Sequence, residues 1–206
     1  SAPGVARPAL GSGQLVIWGA APQESKVLFD GMELPALYHL GGQRTVLPTG
    51  FLKELLLVPG AYGAEYGRAL GGLVLIESSE PAPSPGLHGA LSADLLDAGA
   101  ELSGRIGPRL QLRAAGRYSY LDRLLTAISR ADLGDTFPLP RYYDFQVQAA
   151  LGLRPRERLT ATVLGSGDEL RRARALGDPQ RVQAETWRRV SYRASLRYER
   201  PLQDGA

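Results

Sequence analysis

Cysteine is absent from the chain, methionine occurs once, tryptophan and histidine twice each, and aromatic residues make up only 7%. Without cysteine there is no disulfide, no thiolate metal site and no thiol nucleophile, although many envelope proteins avoid cysteine and the absence assigns no compartment. The two histidines, His39 and His88, fall in different segments with no carboxylate at metal-ligand spacing, so no metal is expected. His39, in "YHLGG", reads as a packed or hydrogen-bonded residue. No stretch approaches ~20 apolar residues, which excludes a transmembrane helix, and no basic start followed by an apolar segment marks a signal peptide. Nucleophile-elbow, P-loop and dinucleotide fingerprints are missing as well. "GSGQL", "GSGDE" and "GRALGG" lack both the spacing and the strand-to-helix context. The chain reads as a non-enzyme that needs no cofactor.

What is abundant is glycine, 25 residues, and proline, 15, in a chain that is 44% hydrophobic and 22% charged. That mixture favours many short elements joined by tight turns, and so a mainly β fold. The net charge is +3, and arginine dominates the cations. Many lie between Arg171 and Arg200, in "LRRARALGDPQR" and "WRRVSYRASLRYER". A basic stripe of this kind suits nucleic acid or an anionic ligand, and equally a solvated or lumen-facing polar face. The opening "SAPGV" reads as mid-domain, which sets the expectation of a piece of a longer protein, cut at both ends.

The chain divides into two grammars. Residues 1–80 mix short apolar runs ("LVIW", "KVLFDGMEL", "GGLVLIE") with Gly and Pro, which suits a small α+β or β domain. "FLKELLLV" is too short, between Pro48 and Pro59, to be told as helix or strand. "EPAPSPG", residues 80–86, is a spacer whose prolines cannot join a ladder, so 81–86 is a boundary.

From residue 87 onward a two-residue alternation takes over, as strand pleating requires. Leu87, Gly89, Leu91, Ala93 and Leu95 oppose His88, Ala90, Ser92 and Asp94. The pattern resumes as Ala100, Leu102, Gly104 and Ile106, then as Leu110, Leu112, Ala114, Gly116, Tyr118 and Tyr120. Further on come Tyr143, Phe145, Val147, Ala149, Leu151 and Leu153, then Leu159, Ala161 and Val163. The last run sets Val190, Tyr192, Ala194, Leu196 and Tyr198 against Arg189, Ser191, Arg193, Ser195 and Arg197. Connections are short near 97, at 107–108 and at 155–156, and long at 122–140 and 168–184. Runs of ~10 residues with one apolar face, short turns at one end and longer loops at the other describe a transmembrane β-barrel. Tyr118, Tyr120, Tyr142, Tyr143 and Tyr198 lie near run ends, where an aromatic girdle meets the membrane interface.

The motifs resemble a known family. "LVIWGAAP", "VLFDGMELP" and "LKELLLVPGAYGAEYGRALGGLVLIESS", followed by amphipathic hairpins, look like the second half of the plug and the first barrel strands of TonB-dependent outer-membrane receptors. The matches are Asp30-Gly31, Pro59-Gly60, and Tyr66-Gly67 followed by Gly71-Gly72 and a strand. The resemblance implies a plug over residues 1–80, a boundary at 81–86, and about six strands of an incomplete transmembrane barrel over 87–206. The glycines fit a backbone that turns tightly, at positive φ or close to the barrel wall. One departure is clear: Trp18 stands before Gly19, where the family's plugs carry the arginine credited with plug-to-barrel pairing.

By the same resemblance, the function is energy-coupled uptake across the outer membrane of a scarce ligand such as an iron chelate, a cobalamin or an oligosaccharide. The partners are then outer-membrane lipid and a TonB-like energy-coupling protein of the inner membrane. Tyr62, Glu65, Arg68 and the lumen-facing His88 are candidates for the lumen or ligand path. Two other classes stand beside this reading: a non-transporting outer-membrane barrel for assembly, adhesion or signalling, and an Arg-rich soluble nucleic-acid binder.

Overall fold

The computed structural model describes residues 4–6, 15–40, 42, 44–79, 85–128, 140–176 and 178–200, with side chains left out at 125–128, 140, 171–176 and 178–185. Two β-sheets account for most of them.

The first sheet belongs to the glycine-rich segment. β1 (Val5–Ala6) and β2 (Val16–Ile17) pair as a short ribbon beside it. β3 (Ser25–Phe29) and β4 (Met32–Leu34) form a hairpin whose central residues, Asp30 and Gly31, sit at φ 48° and 82°. Two consecutive positive φ values are what a two-residue turn matched to strand twist requires, and Asp-Gly is among the pairs that accept them. The undecided "FLKELLLV" resolves as a 3-10 turn, Thr49–Phe51, leading into strand β5 (Leu52–Val58). β6 (Gly72–Ser78) runs down the middle, parallel to β3 and antiparallel to β5, giving the order β4-β3-β6-β5. A central strand is covered on both faces, so Leu73, Val74 and Ile76 form an unbroken apolar run and all are buried. Val74 and Ile76 pack with Ile17, Val27, Phe29, Leu34, Leu37, Val46 and Leu47 into one core.

The second sheet is a six-stranded antiparallel meander: β7 (Gly86–Ala93), β8 (Asp97–Ile106), β9 (Leu110–Ser119), β10 (Pro140–Arg154), β11 (Glu157–Leu176) and β12 (Asp178–Glu199). Its register keeps every apolar run on one face. Leu91, Leu102, Val147, Val163 and Leu196 all stay exposed there. The opposite face carries Arg113, Asp144, Gln146, Gln148, Thr162 and Asp168, all buried against the first sheet. Leu164 leaves the second sheet to join the core of the first. The sheet is open, with β7 and β12 at its edges.

Three expectations need correction. Residues 168–184 are not a loop: β11 and β12 continue to Leu176 and from Asp178, paired from Arg158 with Glu199 to Ala175 with Val182 and, after a register shift, at Leu176 with Asp178. Strands of 20 and 22 residues are about twice the ~10 that a bilayer crossing needs. The connection 122–140 opens with a helix, α1 (Leu121–Ile128), and closes on β10, while residues 129–139 lie outside the described residues. Tyr142 is no girdle residue, because its place in the register turns the ring onto the polar face, where it is buried. Tyr118, Tyr143 and Tyr198 do face outward. Tyr143 and Tyr192 lie over Gly167 and Gly165 on that face, with their hydroxyls 3.0 Å apart. The spacer at 80–86 falls mostly outside the described residues, which resume at Pro85.

Candidate functional site

The residues singled out by motif lie on the four-stranded sheet and its turns. Asp30 does more than turn the chain: its Oδ1 accepts a hydrogen bond from the Ser78 amide at 2.9 Å, tying the hairpin to the end of β6. Gly71 and Gly72 are required by space. A Cβ on Gly71 would fall 2.5 Å from Ala20 Cβ, and one on Gly72, at φ 139°, would fall 2.9 Å from Ile17 Cγ2. Gly67 is different from the expectation, with φ −46° and no atom closer than 3.7 Å to an added Cβ. Gly60, after Pro59, is likewise open. Besides Gly72, the positive φ values of this stretch fall on Ala61 and Arg68. Tyr62 and Tyr66 are half-buried, while Glu65 and Arg68 are exposed. His88 is exposed on β7, its Nε2 3.1 Å from the Pro85 carbonyl. Trp18 is 67% exposed, so it does not replace the missing arginine as a link to the wall.

That link is made elsewhere, by the loop 38–45, which is closed by a bridge between Tyr38 and Thr45. His39 lies at its turn and is 1% exposed. Its Nδ1 is 2.8 Å from Asp168 Oδ1 on β11, and its Nε2 is 2.9 Å from Asp144 Oδ2 on β10. The Leu40 amide donates to the same Asp168 oxygen at 3.0 Å. Tyr142 stacks on the imidazole, with centroids 4.4 Å apart, and its hydroxyl donates to Asp97 on β8.

Each wall carboxylate also has an arginine on the neighbouring strand. Arg117 on β9 stands opposite Asp144 in the register and donates to it from Nε at 2.9 Å and Nη2 at 2.7 Å. Arg189 on β12 stands opposite Asp168 and donates at 3.2 and 2.9 Å. Arg44, from the loop, pairs with Asp97 at 3.0 Å and with Asp94. Burial pulls the His39 imidazole down, but its hydrogen bonds to Asp144 and Asp168 and their negative charge outweigh that, and its pKa is raised above the ordinary histidine value. A metal would need its ligands to converge on a single point. Here the two carboxylates hold opposite nitrogens of one ring, which is a proton-bearing arrangement.

Around this centre, wall arginines donate to main-chain carbonyls of the first sheet and its loops. Arg113 reaches Gly50 and Ser79, each at 3.2 Å, and Arg117 reaches Thr45. On β12, at every second inward position, Arg189 reaches the Tyr38 carbonyl at 2.9 Å, Arg193 the Glu33 carbonyl at 3.0 Å and Arg197 the Asp30 carbonyl at 2.8 Å. The end of the Arg-rich stretch is therefore a docking face for this chain's own backbone. Below the His39 cluster the two sheets enclose a cavity of about 530 Å³, bordered by Tyr66, Lys53, Gln148, Arg158 and Arg197.

The His39 partners were not singled out from the sequence. The available signal was a carboxylate at an inward position of a strand with an arginine at the matching inward position of the next, as in Asp144 with Arg117 and Asp168 with Arg189.

No protein-family model matches the chain, and no curated protein does. Solved structures do. The siderophore receptor PirA from Acinetobacter baumannii superposes with a TM-score of 0.54 at 17% identity, over 81% of this chain and 27% of that one. A mutant of the ferric enterobactin receptor PfeA from Pseudomonas aeruginosa, in complex with enterobactin, gives 0.53 at 20% identity, over 82% and 30%. PirA from Pseudomonas aeruginosa gives 0.51 at 16% identity, over 96% and 41%. The chain thus spans well under half the length of these receptors. At such identities the likeness is one of fold, and it is the fold that the motifs resemble: that of TonB-dependent receptors, present here as a plug-like sheet against strands of a barrel that is not closed.

Proposed function

We propose that the chain is part of an outer-membrane receptor for energy-coupled uptake, with residues 1–80 as its plug, 81–86 as the boundary and 87–206 as the first strands of its barrel wall. The observation that carries this is the seating of the four-stranded sheet on the polar face of an amphipathic meander whose other face is apolar and exposed. A sheet with one apolar face toward lipid must turn its polar face to a lumen, and here a folded unit occupies that side. In this reading the plug gates the pore, and a TonB-like inner-membrane protein supplies the energy. Tyr62, Glu65, Arg68 and His88 border the lumen or the ligand path, and the glycine motif shapes the plug. An iron chelate is the first ligand to test, since the similar structures are siderophore receptors. Cobalamin and oligosaccharides follow.

The test is uptake in cells lacking the full-length gene and in cells carrying it, with ferric enterobactin, cobalamin and a maltooligosaccharide as probes. Uptake of one probe that disappears on deletion, and again on disruption of the energy-coupling protein, supports the reading. Normal assembly with no ligand-dependent uptake points to a non-transporting barrel.

A further inference from the structure

We propose that His39 is a proton-held latch: seated between Asp144 and Asp168 it carries both ring protons, and its deprotonation weakens the attachment of the loop 38–45 to the wall. The inference rests on the plug reading only in taking the loop as a part that can leave the wall.

The argument starts from hydrogen-bond chemistry. A neutral imidazole has one N–H and one lone pair, so it can satisfy only one of two carboxylates placed on opposite nitrogens, and the other then faces a lone pair. Only the imidazolium donates to both. Both distances, 2.8 and 2.9 Å, are those of charge-assisted bonds, and the side chains of all three residues are essentially inaccessible, at 1%, 0% and 0% exposure.

The charged groups around the ring are largely paired among themselves. Facing His39 are Asp144 with its partner Arg117, Asp168 with its partner Arg189, and the Tyr142 ring, whose hydroxyl leads to Asp97, Arg44 and Asp94. Asp144, Asp168 and Asp97 each have an arginine partner, and Asp94 is half exposed, so the ring proton is held by the two short hydrogen bonds and the nearness of both carboxylates. Its loss leaves one buried carboxylate oxygen facing a ring lone pair, at a place where water cannot compensate it.

The direction of the pH effect follows. The pKa of the seated imidazole is raised, while that of a released one is about 6.5. The latch therefore contributes fully below about pH 6.5 and is lost as pH rises through the seated value. At the upper end, the loop should open more often by roughly tenfold for each unit by which the seated pKa exceeds the released one.

The test is amide hydrogen exchange of residues 38–46 in the full-length protein in detergent, measured from about pH 5.5 to about pH 9.5 and corrected for the intrinsic rate. Protection in this loop is expected to fall with rising pH, while the β6 amides hold theirs. His39→Gln should flatten the profile and His88→Gln should leave it as in the parent. A flat profile in the unsubstituted protein overturns the latch, and needs no variant to fold. So does a His39→Gln profile that keeps the parental slope. Because exchange requires neither a pore nor a ligand, failure of the uptake experiment leaves this one decisive.

Discussion

Arg113 Cζ sits 3.9 Å from the centroid of the Phe51 ring, and the same guanidinium donates to the carbonyls of Gly50 and Ser79. Phe51 is a core residue of the four-stranded sheet's turn, whereas Arg113 belongs to β9 of the wall. One cation thus bridges the two sheets by stacking on an apolar ring and by donating to part-buried main-chain acceptors at the ends of β5 and β6.

Arg113→Met keeps the length of the side chain and removes the donors. The carbonyls of Gly50 and Ser79 then lose charge-assisted bonds worth at most about 1.5–3 kcal/mol each, Gly50 keeping its bond from the Ser79 hydroxyl. The plug should unseat more readily, seen as increased entry of large antibiotics into cells carrying the variant. Arg113→Lys should restore only part of the barrier, because an ammonium has no planar fork to stack on Phe51 while reaching both carbonyls. A variant as tight as the parent would show that the bridge does not hold the plug.

Leu196 and Ser195 are neighbours on β12 with opposite surroundings: Leu196 is 70% exposed on the apolar face, and Ser195 borders the cavity between the sheets. Leu196→Arg should destabilise the folded protein in a bilayer by about 2–4 kcal/mol if it lies near the midplane, and less toward an interface. Ser195→Arg should change stability far less. Urea titration in lipid vesicles compares the two, and equal losses would contradict the assignment of faces.

The strands were legible because an apolar face on one side and a polar face packed on the first sheet on the other require strict alternation, and Leu102 against Ser103 or Val147 against Gln148 displays it. Where that two-sided environment ends, so does the signal. Arg171 and Arg172 follow one another in β11, and "LRRARALGDPQR" reads as a loop although it pairs as a hairpin. The glycine motif was legible for Gly71 and Gly72, whose constraint comes from Ala20 and Ile17 nearby, and misleading for Gly67. The His39 cluster was the least accessible, since its carboxylates lie 105 and 129 residues along the chain and only strand pairing brings them together.

The proposed barrel wall implies a direction in the membrane, which follows from its turns. Residues 107–109 and 155–156 close one end, while residues 94–96, α1 and the long β11–β12 hairpin occupy the other. In barrels of this kind short turns face the periplasm and long connections the exterior. Cysteines at Leu95 and Asp178 should react with an impermeant maleimide in intact cells, and a cysteine at Arg156 should react only after the outer membrane is opened. This chain has no cysteine of its own to blur the result. Labelling of Arg156→Cys alone in intact cells would invert the orientation.

Finally, the glycine run can be dissected residue by residue. A side chain on Gly71 meets Ala20 Cβ and Ser25 Oγ, and one on Gly72 meets Ile17 and the Val58 carbonyl at φ 139°, a conformation that strains any L-residue. Neither position touches the ladder of the six-stranded sheet. Gly71→Val with Gly72→Val should therefore cost the plug about 1–3 kcal/mol per site while the wall assembles nearly as in the parent. Gly67→Ala, with an ordinary φ and open space, should be close to neutral. Assembly is read from the heat-dependent gel mobility of the folded barrel, and plug integrity from the entry of large antibiotics. The expected pattern is a normal barrel with a leaky pore for the double variant, and parental behaviour for Gly67→Ala. A leak caused by Gly67→Ala, or a tight pore in the double variant, would mean that contacts with Ala20 and Ile17 are not what confines these glycines.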